Sequence, residues 1–286
     1  MRLGLRRKFY SRFTDQVPYR RAKRMKIAFL LFFWMVLSSH AFCSAENSQK
    51  QYTGLSSDGI VTLTIVFKVE SGTFFSDDEK QLITDMMQRA EKEVRTLLPT
   101  LPEEIKVTAT IVDRNIDIVG GVSGRADAPG IVLIEFSRVF PGGVSAAAQS
   151  SLTSTIFHEF HHLDRGWTIQ GNKFGPGIPI AAVNEGLATV FAEEYTDEYF
   201  EEAYSYPEDA VEWLKEILAL PVDADYSTWM MGEHPDRRNT NGYRVGRFII
   251  HQAIANSGKS VLELSRLAPE EILRLAQMPP PNDSAP

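Results

Sequence analysis

The chain has 286 residues, 43% hydrophobic and 23% charged, with 15 prolines and 19 glycines, which excludes collagen-like, coiled-coil and wholly disordered chains and allows a sizeable core. Its formal charge of −7 is unevenly spread: removing the ten Lys/Arg and the one acid, Asp15, of residues 1–45 from totals of 30 and 37 leaves −16 over residues 46–286. A body that acidic repels phosphate backbones and anionic membrane surfaces, so nucleic acid is excluded as a partner.

Ile27 to Leu37 reads IAFLLFFWMVL, eleven apolar residues in a row. A bilayer span needs about 20, whereas the apolar core of a secretory signal peptide is shorter. Arg24 and Lys26 precede the run and SSHAFCSA follows it, which completes the signal-peptide pattern. Residues 1–45 are therefore expected to be an address, cut after Ala45 or, as the alternative, after Cys43. The 24 residues before Met25 form a long basic leader, and translation from Met25 would leave a compact signal peptide. Phe42 speaks against a lipoprotein signal at Cys43. The mature chain is expected outside the cytoplasm, periplasmic or secreted, with no stable membrane span; an uncleaved N-terminal anchor is the alternative. Cys43 is the only cysteine, so a mature chain without it has neither a thiol nucleophile nor a cysteine-ligated metal.

Beyond the leader, Val61, Leu63, Ile65, Phe67 and Val69 alternate with Thr62, Thr64, Val66 and Lys68, the period of a half-buried strand. Ser76 and Glu79 form an S-x-x-E capping box. From there Leu82, Ile83, Met86, Met87, Ala90, Val94, Leu97 and Leu98 recur at helical spacing until Pro99. Val107, Ala109 and Ile111 predict a second strand. The Gly-rich stretch GGVSGRADAPG then reads as a turn into a third strand, Ile131–Phe136. After Pro141-Gly142-Gly143 the pattern becomes helical, with helices expected over Ser145–Asp164, Ile180–Glu194, Pro207–Leu220, Asn241–Ser257 and Pro269–Ala276. There are no repeats, and the tail 279–286 reads as disordered. The outline is α+β: a strand-rich part, 46–142, packed on a mainly helical part, 143–278.

Residues 158–162 read HEFHH. His158 and His162, four apart on a helix, sit about 40° apart on one face, so their imidazoles can bind one ion. Glu159 projects beside them toward a metal-bound water. Leu152, Ile156, Phe160 and Leu163 cluster roughly opposite and face a core. H-E-x-x-H is also found as an ordinary polar helix face, so its weight rests on a third ligand. The metzincin pattern is excluded, because Arg165 and Thr168 stand where it requires Gly and His. Glu185, in NEGLATVFAEE, follows His162 after 22 intervening residues. A loop over 166–179 would return its helix antiparallel to the first, with Gly186 and Ala188 permitting close approach. Two imidazoles and one carboxylate make a His₂Glu zinc site with a fourth position for water.

HEFHH followed by VNEGLA and then GYRVG resembles the gluzincin zinc metallopeptidases, and within them a bacterial family of predicted zinc-dependent proteases. The similarity is strong over 154–195 and weaker over 241–250. It implies a gluzincin-like fold, one Zn²⁺ per chain on His158, His162 and Glu185, and Glu159 as catalytic acid/base. It also points to Tyr243, before a Gly-bearing helix turn, as the donor to the oxyanion. His234 is the second choice for that role, with Arg237, Arg238 and Arg244 behind. The strand 131–136 precedes the catalytic helix, as the substrate-pairing edge strand does in gluzincins; its apolar sequence equally fits a buried strand. His161, Asp164, Thr189 and His251 read as structural, and the run Glu193–Glu202 as a solvated face. The function expected is peptide-bond hydrolysis on a peptide or protein substrate. The alternatives are an inactive metal-binding scaffold that recognises peptides, and a zinc amidase acting on a cell-wall component.

Overall fold

A computed structural model describes residues 48–277 apart from 57, 58, 70, 71, 231, 233 and 237. The expected signal peptide and the tail 279–286 lie outside the described residues. The fold is α+β, a five-stranded mixed sheet followed by helices. The strands are β1 (Ser48–Ser56), β2 (Gly59–Phe67), β3 (Glu104–Val112), β4 (Val122–Ala128) and β5 (Ile131–Ser137), in the spatial order β1-β2-β3-β5-β4. β2, β3 and β5 run parallel; β1 and β4 are antiparallel edges.

Register brings the alternating apolar residues onto one face. Leu63, Ile65 and Phe67 pair with Ile105, Val107 and Ala109, and Val107, Ala109 and Ile111 pair with Val132, Ile134 and Phe136. All of these side chains are buried. A one-residue slip would turn every one of them to the other face, so the pattern itself fixes the register. Helix α1 (Asp77–Leu97) begins at the Ser76–Glu79 capping box, formed with both reciprocal bonds. It lays Ile83, Met87, Ala90 and Val94 into the core. Phe67, Phe75 and Phe136 meet edge to face at 5.1 and 5.7 Å, each buried ring contributing roughly 1.5–3 kcal/mol.

The helical part comprises α2 (Gly143–Arg165), α3 (Ile178–Thr196), α4 (Glu201–Tyr204), α5 (Ala210–Leu218), α6 (Tyr226–Met230), α7 (Asn241–Ser257), α8 (Val261–Leu264) and α9 (Pro269–Ala276). α3 is buried on nearly every side from Ala181 to Ala192, as a helix without an outward polar face must be. It lies between α2 and α7. A single apolar core runs from the sheet through α2 and α3 to α9. Among the described residues no helix is long and apolar enough to cross a membrane.

Two expectations are corrected. The Gly-rich stretch is not merely a turn, because its residues Val122–Ala128 form β4. β5 is consequently an interior strand between β3 and β4 rather than the substrate-pairing edge, which settles its IVLIEF sequence as that of a buried strand. β1 was also not foreseen: QKQYTG lacks a clean apolar alternation, and its strand form comes from pairing with β2.

Candidate metal centre

α2 is bounded by glycines in the left-handed region, Gly142 (φ 90°) and Gly166 (φ 69°), where other residues would be strained. Its C-terminal half carries His158, Glu159 and His162, the two imidazoles edge to face at 4.7 Å. α3 returns antiparallel and sets Glu185 opposite them. Glu185 Oε2 lies 3.1 Å from His158 Nε2 and 3.2 Å from His162 Nε2, and the two nitrogens are 3.0 Å apart. No other trio of metal-capable groups comes together among the described residues.

Three mutual approaches near 3 Å cannot all be hydrogen bonds, since each Nε2 carries at most one proton and the ionised carboxylate none, leaving at most two protons for three contacts. A tetrahedral zinc with bonds of about 2.05 Å keeps its ligand atoms roughly 3.3 Å apart, close to the spacing found. Two imidazoles and a carboxylate are also the donor set of open, catalytic zinc sites. The residues present fit the metal.

Glu185 is held from behind. Its Oε1 accepts from the Trp167 indole N–H at 3.3 Å and the Tyr226 hydroxyl at 3.4 Å. Trp167 is placed by the end of α2, where its backbone N–H bonds the His162 carbonyl at 2.9 Å. Burial alone would push the Glu185 carboxyl up; the two imidazoles, His162 foremost, outweigh it and hold the group well below the usual carboxylate range. Glu159 behaves oppositely: burial pushes it up to about 7, against the pull of His158 and a hydrogen bond from the Ala126 N–H. Its side chain lies on Gly124 of β4, where a Cβ would come within 2.5 Å of Oε1 and 2.7 Å of Cδ.

A cavity of about 370 Å³ opens beside this cluster, with Gly124 and Arg125 on one wall and His158, Glu159 and Tyr243 on the other. Tyr243 is carried by α7, which reaches the site because Gly246 meets Gly186 of α3. A Cβ on Gly186 would lie 2.8 Å from the Gly246 Cα, with the Gly246 carbonyl nearer still. Gly186 therefore serves the contact with α7, not the approach to α2 expected of it. Burial, with the charge of Glu185 next, keeps the Tyr243 phenol well above its ordinary range and so protonated. It is hydrogen-bonded to Tyr226, and its ring lies 6.1 Å from that of Tyr204.

His234, the second oxyanion choice, is not brought to the cavity. Its Nδ1 faces Asp236 at 2.5 Å and its ring packs on Trp229 at 4.7 Å. Arg238 is taken by Glu216 and Asp236, and Arg244 by the Ser205 and Glu202 carbonyls; Arg237 lies outside the described residues. His161 is structural, its Nε2 2.7 Å from Ser265 Oγ. Asp164 accepts from Thr100 at 2.6 Å, and His251 has a partner after all in the Tyr206 hydroxyl at 3.1 Å. The acidic run is not wholly solvated, since Glu193 pairs with Arg247 at 2.8 Å and Glu198 lines the cavity. Sequence reasoning missed Trp167, Tyr204 and Tyr226. Each lies in a loop or short helix, without periodicity to mark it.

Residues 83–274 match the model of a family described as Predicted Zn-dependent protease (DUF2268). The chain belongs to this family. The resemblance drawn from HEFHH and NEGLA thus holds at the level of the zinc-dependent proteases. The structure is similar to a crystal structure of an aminopeptidase N family protein from Idiomarina loihiensis, at 11% identity and a TM-score of 0.45, covering 80% of this chain and 40% of that one. It is also similar to a mutant M1 zinc metallopeptidase from Deinococcus radiodurans bound to a Tyr-Ser-Ala substrate, at 12% identity and a TM-score of 0.36, covering 78% and 44%. The chain spans less than half the length of either. No curated protein matches it.

Proposed function

We propose that this zinc-dependent protease family member hydrolyses peptide bonds with one Zn²⁺ held by His158, His162 and Glu185. The observation that carries the reading is the convergence of His158 Nε2, His162 Nε2 and Glu185 Oε2 to within 3.2 Å of one another, on the wall of a cavity that also holds Glu159. A zinc bound there supplies Lewis acidity toward a carbonyl and lowers the pKa of water.

The remaining work falls to side chains. Glu159, fixed by the Ala126 N–H and seated on Gly124, takes a proton from the attacking water and returns it to the leaving amine. A carboxyl in a dry setting accepts that proton more readily than one in water. Tyr243, kept protonated, turns its hydroxyl from Tyr226 to the carbonyl oxygen as that oxygen gains charge. Trp167 and Tyr226 keep the Glu185 carboxylate from rotating. The strand edge that serves an extended peptide is β4. Its outward groups at Ala126 are taken by Ile169 N–H and Glu159, so Gly124, two residues back and facing the cavity, offers the free stretch of main chain. The setting proposed is extracytoplasmic, on the evidence of the signal-peptide pattern in residues 25–45.

Metal analysis of purified protein beside His162→Ala, Glu185→Ala and Glu159→Ala, with cleavage of a mixed peptide library, tests the reading. About one zinc per chain is expected, lost in the first two variants and kept in the third, which should lose turnover by orders of magnitude. Zinc without cleavage of any peptide would favour the scaffold or the cell-wall amidase. No zinc after reconstitution would overturn the proposal.

A further inference from the structure

The cavity runs from His158 back along α2 to Ser154, one helical turn or about 6 Å away, and continues to Glu198 and Phe200. Its charged lining is almost entirely self-neutralised. Arg114 is paired with Glu135, Arg125 with Asp127 at 2.5 Å, and Glu193 with Arg247 at 2.8 Å. Glu159 belongs to the metal-centre machinery. Glu198 differs: among the described residues no cation pairs with it, and its Oε2 is fully buried without a hydrogen-bond partner. Only Ser154 favours its charged form, and burial outweighs that help. The carboxylate is thus left with no neighbouring cation to balance its charge, and a cationic ligand in the cavity can supply that balance. The same lining includes the apolar Ile118, Val119, Ala192 and Phe200, suited to an aliphatic stem with a charged head.

We propose that Glu198 makes this cavity select substrates bearing a lysine or arginine side chain near the scissile bond, with the methylene stem along the apolar lining and the cationic head on Glu198. The inference rests on the peptidase reading for its kinetic consequence but not for the binding one. The offset of a helical turn from His158 suits a long side chain rather than the α-amino group, which lies within a few atoms of the scissile carbonyl.

The test compares peptides identical except for lysine, arginine, norleucine, citrulline or glutamate at each position flanking the cleaved bond, on wild type, Glu198→Gln and Glu198→Lys. The readout is the ratio of kcat/KM for lysine over norleucine within each protein, so a general loss of activity cancels. Thermal melts establish that each variant is folded. Wild type is expected to favour lysine and arginine at one position by at least tenfold. Glu198→Gln should bring that ratio near 1, and Glu198→Lys should favour glutamate. A wild-type ratio near 1, or one unchanged by Glu198→Gln, overturns the inference while leaving the peptidase reading intact. Calorimetric titration of the lysine and norleucine peptides supplies the arm that needs no turnover. Lysine-dependent binding, lost in Glu198→Gln, with no cleavage would sustain the selectivity and sink the peptidase. Equal binding of both peptides would overturn the selectivity.

Discussion

Gly124→Ala separates the chemistry of this site from its stability more cleanly than removal of any functional side chain. A Cβ at Gly124 would lie 2.5 Å from Glu159 Oε1 and 2.7 Å from its Cδ, against the 3.5–4 Å of a comfortable contact. The carboxylate must therefore retreat by about 1 Å, away from the Ala126 N–H that fixes it. A misplacement of that size in a reacting group costs about 10²-fold in rate, or roughly 2.7 kcal/mol in the barrier. The strand itself should not suffer, because alanine is stiffer than glycine by about 0.5–1 kcal/mol of backbone entropy and β4 is an edge. The three ligand groups are not touched, so zinc content should stay at the wild-type level. The expected signature is thus kcat down about a hundredfold with unchanged zinc and an unchanged or higher denaturation midpoint. Peptide-cleavage kinetics, metal analysis and urea titration measure these three quantities. Turnover within twofold of wild type would refute the reasoning, since it would mean that Glu159 does not act from the position it holds against β4.

Gly186→Ala should destabilise the fold by about 2–3 kcal/mol. Overpacking of the α3–α7 contact outweighs the gain of about 1 kcal/mol in helix propensity, and an unchanged urea midpoint would contradict the close approach to Gly246. Trp167→Phe removes one of the two bonds on Glu185 Oε1 and should weaken zinc roughly 10–100-fold in a chelator competition; equal affinity would show that the indole merely packs. Tyr243→Phe should lower kcat about 10²–10³-fold with KM little changed, and full turnover would remove the phenol from the mechanism. His251 gives a pH dependence. Burial, aided by the charge of Arg247, pushes its imidazole down to about 4, below an unfolded value near 6.5. Its contribution is complete above pH 6.5 and is lost as pH falls toward 4, where the unfolded chain binds the extra proton. Allowing for its partial exposure, that amounts to about 1–2 kcal/mol. Urea titrations at pH 7 and 4.5 should show the loss in wild type and a flatter response in His251→Gln; identical slopes would exclude His251 as the source.

The parts of this fold that could be read in advance are those whose side chains carry a period. β2 and β3 announce themselves by alternation, β5 by an apolar run after a turn, α1 by its capping box and apolar stripe, and the candidate histidine pair by a four-residue spacing that only a helix turns into a common face. β4 could not be read this way. VSGRADA has neither alternation nor β-branched density, and its strand form is imposed by pairing with β5, a tertiary effect. Missing β4 also left open whether β5 was the sheet edge or an interior strand. Tyr243 was singled out only through the family resemblance, which places a Tyr before a Gly there. Trp167 and Tyr226 reach Glu185 from separate segments, brought there by the end of one helix and the start of another. Glu198 sat concealed among acidic neighbours, and only packing distinguishes it from them.

The end of α2 is fastened far along the chain. Arg165 bonds Asn184 at 2.6 Å, the Leu267 carbonyl at 2.9 Å and the Ser265 carbonyl, while His161 meets the Ser265 hydroxyl. The C-terminal end of the helix that bears both histidines, already packed on α1 and β4, therefore gains its last fastenings only when residues some hundred positions downstream have been synthesised. A nascent chain carries HEFHH long before it can complete those bonds, so the candidate metal centre is expected to become fully ordered only after residue 267 has cleared the ribosome.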